Sequence, residues 1–253
     1  MIPKTIHYCW FGRGPKPALA EKCIASWRRY LPDYQIIEWN EDNFDINANE
    51  YIREAYAARK FAFVSDYARF VILYKLGGLY FDTDVEIIAP IDDIVAAGPF
   101  MGCERPFAEC RRPEELSVAA GLGLGAEAGM EIYKEIIDYY DRARYEVPAD
   151  GGLPVSVVEH VTGILCGKGL RLTPEIQTVG GVKIYPSDYF CPVSIVDFGL
   201  RITPNTRSIH HYDASWKPKS HRLKRRLQRL LGPQITSAII RMKDILLKRT
   251  PAR

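Results

Sequence analysis

The sequence predicts an α/β protein: a mixed, mainly parallel sheet flanked by helices, with a basic helical tail at the C-terminus. Three observations carry that expectation. Strand-like and helix-like segments alternate over the first ninety residues, the stretch 61–76 is apolar on almost every side, and charge is split sharply along the chain. Residues 1–216 hold 22 Lys and Arg against 30 Asp and Glu, whereas residues 217–253 hold 12 against one. The net charge of +3 therefore conceals a body of −8 and a tail of +11. We expect a folded domain over residues 1–218 and a basic amphipathic tail over residues 219–253. With 253 residues, 47% of them hydrophobic, the chain can bury a sizeable core.

Thr5 to Trp10 has the β-branched and aromatic content of a strand and ends in the turn Gly12-Arg13-Gly14-Pro15. Leu19, Cys23, Ile24, Trp27 and Leu31 then recur at helical spacing, opened by Pro17 and stopped before Pro32. Tyr34 to Trp39 reads as a second strand, so the chain opens strand, helix, strand, as a parallel sheet does. Helices are expected over 47–59 and 61–76. Within the second, Asp66 and Arg69 either pair with each other at i,i+3 or line a polar cleft, and the apolar surroundings favour the cleft. A strand to Ile88, a short helix near Ile91–Ala96 and a strand near Phe100–Cys103 follow. The charged segment 104–116 reads as a mobile loop over the cleft. Val118 to Leu124 reads as one strand entering the turn Gly121-Leu122-Gly123-Leu124-Gly125, which lacks the Lys-Ser/Thr of a phosphate loop and fits a close-packed strand end. Helices are expected over 129–144 and 154–166, then a set of short strands over 170–209.

Chemistry concentrates in Gly77-Gly78-Leu79-Tyr80-Phe81-Asp82-Thr83-Asp84-Val85. An Asp-x-Asp pair alone is weak evidence, since roughly one arises by chance in a chain of this length. Here, however, it interrupts two apolar segments, and carboxylates in such a place need a compensating charge. On an extended backbone Asp82 and Asp84 point the same way, so they can converge on one hard divalent cation. Near the end of the body lies Ser208-Ile209-His210-His211-Tyr212-Asp213-Ala214-Ser215-Trp216-Lys217-Pro218. Imidazole can ligate a metal, and lysine and indole N–H can hold phosphate oxygens; an ordinary exposed turn accounts for these residues equally well.

Taken together, Ile2 to Gly12, Ala62 to Arg69, Gly77 to Val85 and His210-His211 followed by Ser215-Trp216 resemble the DXD-containing glycosyltransferases of the capsular-polysaccharide type, family 32. Relatives include yeast initiating mannosyltransferases and the glucosylating domains of large clostridial toxins. The resemblance implies a GT-A fold, a nucleotide-sugar donor (a UDP-hexose is favoured), a saccharide acceptor, a Mn²⁺ or Mg²⁺ ion and retention of anomeric configuration. It also implies roles: Trp10 stacks on the donor base, Asp66 and Arg69 hold the donor sugar and diphosphate, Tyr80 flanks the donor, and Asp82 and Asp84 contact ribose and metal as the catalytic aspartates. His211 to Pro218 resembles His-x-x-Gly-x-x-Lys-Pro, with Ala214 in place of the glycine. That motif implies His211 as a metal ligand and Lys217, beside Ser215 and Trp216, on the diphosphate.

In the tail, Leu223, Leu227, Leu230 and Leu231 form one helical stripe and Ile235, Ile239, Met242, Ile245 and Leu246 a second, set among arginines and lysines. Such a segment suits an anionic membrane surface, while the acidic body and the absence of aromatics in the tail argue against nucleic acid. No apolar run is long enough to span a bilayer and the N-terminus shows no signal-peptide pattern, so the expected location is the cytoplasm, at the inner face of the plasma membrane. The six cysteines lack metal spacing and are expected to be reduced. Two other function classes share some of these features: a sugar-phosphate nucleotidyltransferase, which would need a basic phosphate loop that Gly12-Arg13-Gly14-Pro15-Lys16 imitates poorly, and a non-catalytic peripheral membrane adaptor.

Overall fold

A computed structural model describes residues 1–146, 155–193 and 199–212. The predicted opening is present: β1 (Thr5–Cys9) is joined through α1 (Ala18–Tyr30) to β2 (Gln35–Trp39), and the two strands pair in parallel. Next come α2 (Glu50–Ala57), whose first turn is capped by Asn49 accepting from the Ile52 amide at 3.0 Å, and α3 (Phe61–Leu76). The apolar run of α3 stops at Gly77 and Gly78, and β3 (Gly78–Tyr80) enters the sheet beside β1, again in parallel. Glycine is required there: Gly78 has φ 101°, and a Cβ would lie 2.7 Å from the Thr5 carbonyl oxygen. His7 braces the same junction, with Nε2 3.1 Å from the Gly77 carbonyl and Nδ1 accepting from the Trp39 indole. Burial pushes its pKa down to about 4, so it serves as a neutral bridge.

Beyond β4 (Val85–Ile87), α4 (Asp92–Ala96) and β5 (Phe100–Cys103), the expected single strand over 118–124 is two strands, β6 (Val118–Ala119) and β7 (Leu124–Ala126). Both run antiparallel to β5. The split arises at the glycines, which let the backbone turn against packed rings: Gly123 has φ 149°, and a Cβ on Gly125 would meet the Phe100 ring at 2.2 Å. A close-packed strand end is thus what the glycines build. Segment 104–116 contains two single 3₁₀ turns, Phe107–Glu109 and Pro113–Leu116, with Leu116 buried. Helices α5 (Glu131–Arg142) and α6 (Val157–Gly167) follow, the latter opened by a Ser156–Glu159 capping box. The expected run of short strands over 170–209 contains β8 (Gln177–Val179), β9 (Val182–Tyr185) and β10 (Ser208–His210), but also the short helix α7 (Ser187–Phe190).

The main sheet has the order β2-β1-β3-β7-β5-β9-β8, with β6 on β5, and the parallel pairs are β1–β2, β1–β3 and β5–β9. Alternation along the strands divides the core. Ile6, Tyr8, Leu79 and Phe100 face α1 and its neighbours, whereas Cys9, Tyr80 and Met101 face α3 and α5. All six cysteines are free. Among the described residues no helix is long and apolar enough to cross a membrane. The tail, residues 219–253, lies outside the described residues.

Candidate functional site

From β1 the chain crosses to β2 on one side and returns to β3 on the other, so the carboxyl ends of β1 and β3 form a topological switch point. In open α/β sheets that crevice is where ligands bind. Two of the expected site residues follow those strand ends directly: Trp10 after β1, and Asp82 two residues after β3.

Asp82 and Asp84 do not converge by strand alternation, as the sequence suggested. The backbone bends there, and the Val85 amide donates to the Asp82 carbonyl at 3.0 Å, closing a four-residue turn. The Asp82 amide donates in turn to the Gly121 carbonyl at 3.2 Å, and a Cβ on Gly121 would sit 2.1 Å from Asp82 Oδ2. Gly121 is therefore a site residue that sequence reasoning missed, although the glycine cluster was its visible signal.

Beneath Asp82 lies a buried charge node. Arg69 donates through Nη2 to Asp66 Oδ1 at 2.9 Å and reaches Asp82 Oδ1 at 3.2 Å, while its Nε donates to the Ser65 carbonyl. The guanidinium carbon lies 4.9 Å from the centre of the Tyr80 ring, and the Tyr80 hydroxyl donates to Asp82 Oδ1 at 3.2 Å. Of the two readings of the Asp66–Arg69 spacing, the pairing is present, and both side chains are largely buried beneath Asp82. Tyr80 is fully buried and supports Arg69 and Asp82 from below. One arginine serves two carboxylates in a place short of water. Burial pushes Asp66 up to about 7, against the pull of Arg69, and Asp82 is raised by burial in the same way. Arg69 stays charged: burial opposes its charge, and Asp82 and Asp66 outweigh that effect.

The far end of the chain completes the cluster. β10 runs antiparallel to β4 as a two-stranded ribbon, with His210 opposite Val85. This puts His210 Nε2 3.2 Å from Asp84 Oδ1, and one ligand atom each from Asp82, Asp84 and His210 lies within 4.8 Å of the others. Burial opposes protonation of His210, but the Asp84 carboxylate outweighs it and the pKa is raised. His211, the expected ligand, is placed elsewhere: its Nε2 meets Glu86 Oε2 at 2.8 Å. Neighbouring residues on a strand point to opposite sides, so the imidazole brought to the aspartates is the one before it. Glu86 also accepts from Lys22 Nζ at 2.7 Å. Burial would raise its pKa, and Lys22 and His211 hold it below the ordinary range.

Two carboxylates and an imidazole at this spacing fit one divalent ion, whose opposed ligands stand roughly 4–5 Å apart at ordinary metal–oxygen distances. Arg69 pairs with Asp66 and Asp82, and the third carboxylate, Asp84, faces His210 instead. Trp10 is half-buried, its indole N–H donating to the Gly14 carbonyl at 2.7 Å and its amide to the Trp39 carbonyl. Its loop is tied down by the Gly12 amide donating to Glu41 and by the Arg13–Asp42 pair, each at 2.6 Å. Ser215, Trp216 and Lys217 lie outside the described residues.

Residues 17–101 match a protein family described as the glycosyltransferase sugar-binding region containing the DXD motif. Among curated proteins, inositol phosphoceramide mannosyltransferase 1 of Schizosaccharomyces pombe is 30% identical over 111 residues, which is 40% of this chain and 33% of that one. The chain thus spans about a third of that relative's length. Among solved structures, a glycosyltransferase involved in glycosylation of the major capsid of PBCV-1 superposes with a TM-score of 0.46 at 12% identity, covering 88% of this chain and 98% of that one. The galactosyltransferase LgtC, in complex with donor and acceptor sugar analogues, gives 0.44 at 12% identity over 87% and 94% of the two chains. The PaToxG glycosyltransferase gives 0.45 at 16% identity over 63% and 67%. Residues 17–101 are thus similar to the DXD-containing sugar-binding region of glycosyltransferases, and that segment contains Asp82-Thr83-Asp84.

Proposed function

We propose that this protein is a metal-dependent, retaining glycosyltransferase of GT-A type that moves a hexosyl unit from a nucleotide sugar, a UDP-hexose, to a saccharide acceptor. The observation that carries the proposal is the meeting of Asp82, Asp84 and His210 beside the buried Arg69 at the β1/β3 switch point. Asp82, Asp84 and His210 would hold the ion. Its imidazole nitrogen suits Mn²⁺ better than Mg²⁺, which prefers oxygen. Bound there, the ion supplies positive charge against the departing nucleoside diphosphate.

The chain's own residues do the rest. Trp10 offers a flat aromatic face for the donor base. Asp66 and Arg69 form the floor against which the donor sugar lies, and Tyr80 acts by fixing Asp82. Lys217, with Ser215 and Trp216, would reach the diphosphate from beyond the described residues and hold its developing charge. No side chain is assigned as a base, because front-face retention lets a donor phosphate oxygen take the acceptor's proton. The tail's charge of +11 over residues 217–253 suits an anionic membrane, and with it a lipid-linked or capsular saccharide as acceptor.

The test is a panel of nucleotide sugars offered to the full-length protein with Mn²⁺, scored by the released product. Release of nucleoside diphosphate is expected, and Asp84→Asn should abolish it while leaving the thermal midpoint unchanged. Release of pyrophosphate would point instead to a nucleotidyltransferase. Absence of metal-dependent turnover on every donor would overturn the proposal and leave a non-catalytic adaptor.

A further inference from the structure

The two adjacent histidines differ in what they touch: His210 meets Asp84, and His211 meets Glu86. β10 is three residues long and pairs with the equally short β4. Two-stranded ribbons of that size are marginal without added ties. The end of the ribbon away from the aspartates has several: the Ile87 amide donates to Ser26 Oγ at 3.0 Å, the Ile88 amide to the Arg207 carbonyl at 2.9 Å, and Ser208 Oγ to the Phe190 carbonyl at 3.3 Å. The end carrying Asp84 and His210 has its own: the Trp27 indole donates to the Val85 carbonyl at 2.8 Å, and the Tyr212 hydroxyl lies 2.9 Å from Cys191 Sγ. The His211 amide donates to the Asp84 carbonyl at 2.9 Å, and the His211 ring reaches Glu86, whose Oε2 is shared with Lys22 from α1.

We propose that His211 is a positioning residue: through Glu86, and through Glu86 to Lys22 on α1, it clamps the aspartate end of the β4–β10 ribbon so that His210 stays over Asp84. This rests on the metal-site reading of Asp82, Asp84 and His210, and it divides two neighbouring imidazoles between ligation and support. The carboxylate of Glu86 sits between a cation that is mostly in solvent and an imidazole that is largely covered. The His211–Glu86 contact, being the less hydrated of the two, is the one that fixes geometry. Lys22 adds charge to the carboxylate from outside.

The clamp has a consequence for metal affinity that turnover is not needed to see. Partners that orient a metal ligand change affinity by about 10–100-fold when lost. Mn²⁺ binding to the full-length protein, measured by titration calorimetry with the thermal midpoint of each variant recorded, is the readout. His210→Ala should abolish detectable binding. His211→Ala should weaken it about tenfold or more with the number of sites unchanged. His211→Gln, whose amide can still donate to Glu86, should restore most of the loss, a rescue that simple loss of packing would not give.

An affinity of His211→Ala equal to that of the unmodified protein overturns the clamp. So does the reverse pattern, in which His211→Ala abolishes binding and His210→Ala leaves it intact, because His211 is then the ligand. Failure of the metal reading is separable. It would show as Mn²⁺ binding unaffected by Asp84→Asn and His210→Ala alike, whatever His211 does.

Discussion

The Arg69 node and the β4–β10 ribbon both set carboxylates against a cationic or imidazole partner, yet their cations stand in different media. The Arg69 side chain is 4% exposed and enclosed by α3, Tyr80 and the Asp82 turn, whereas Lys22, at the outer end of the ribbon, is 60% exposed. In the node a missing charge cannot be replaced by water, so each group depends on the others for its own stability. Around Lys22, solvent stands in for a lost partner, and what changes is geometry. The site therefore joins a part that the fold depends on to a part that can be altered with the fold intact.

The strongest test of that contrast is Arg69→Met, which keeps the side chain's bulk and leaves Asp66 and Asp82 without their cation. A loss of about 3–5 kcal/mol in urea unfolding is expected. Adding Asp66→Asn to the same protein should recover part of it, and a single variant within about 1 kcal/mol of the parent would show the node to behave as a surface pair.

A second, smaller effect separates the node by pH. Asp66 holds its proton up to about 7 in the folded chain, against 3.8 for an ordinary aspartate. The folded state thus binds the proton more tightly than the unfolded state. Its contribution to stability is complete below about pH 4 and is lost as pH rises through about 7. Relative to Asp66→Asn, the parent should lose stability across that window, at no more than about 1.4 kcal/mol per pH unit. Parallel stability curves for the two proteins would mean that Asp66 is ionised throughout.

The smallest effect belongs to the rim. Lys22→Ala removes one exposed partner of Glu86 and should change unfolding free energy by no more than about 0.5 kcal/mol. A larger loss would mean that the ribbon is as tightly coupled as the node, and the contrast would disappear.

What could be read from sequence follows the same division between local and distant causes. The span of α3, residues 61–76, was legible in full, because an apolar run closed by Gly77-Gly78 is a local signal. The charges of Asp66 and Arg69 stood out within it for the same reason. The opening β1-α1-β2 unit was equally plain. The Asp82–Val85 turn was not, because a hydrogen bond from Val85 to Asp82 has no signature in alternating residue types. The split of 118–124 was hidden because Val, Ala and Leu suit one strand as well as two. The exchange of His211 for His210 has the most distant cause. It depends on the register of β10 against β4, and a shift of one residue reverses which imidazole meets Asp84.

That pairing also sets when the site can come into being. Glu86 and His211 are 125 residues apart in the chain, and the ribbon joining them is antiparallel, so nothing in the N-terminal half can stand in for β10. On a translating ribosome working at about 5–20 residues per second, the aspartate turn emerges roughly 6–25 s before its imidazole partner. During that interval the nascent chain carries the acidic turn without its imidazole partner. The sheet can begin to order first, and the cluster of Asp82, Asp84 and His210 comes together as a late, single event when the last described strand docks.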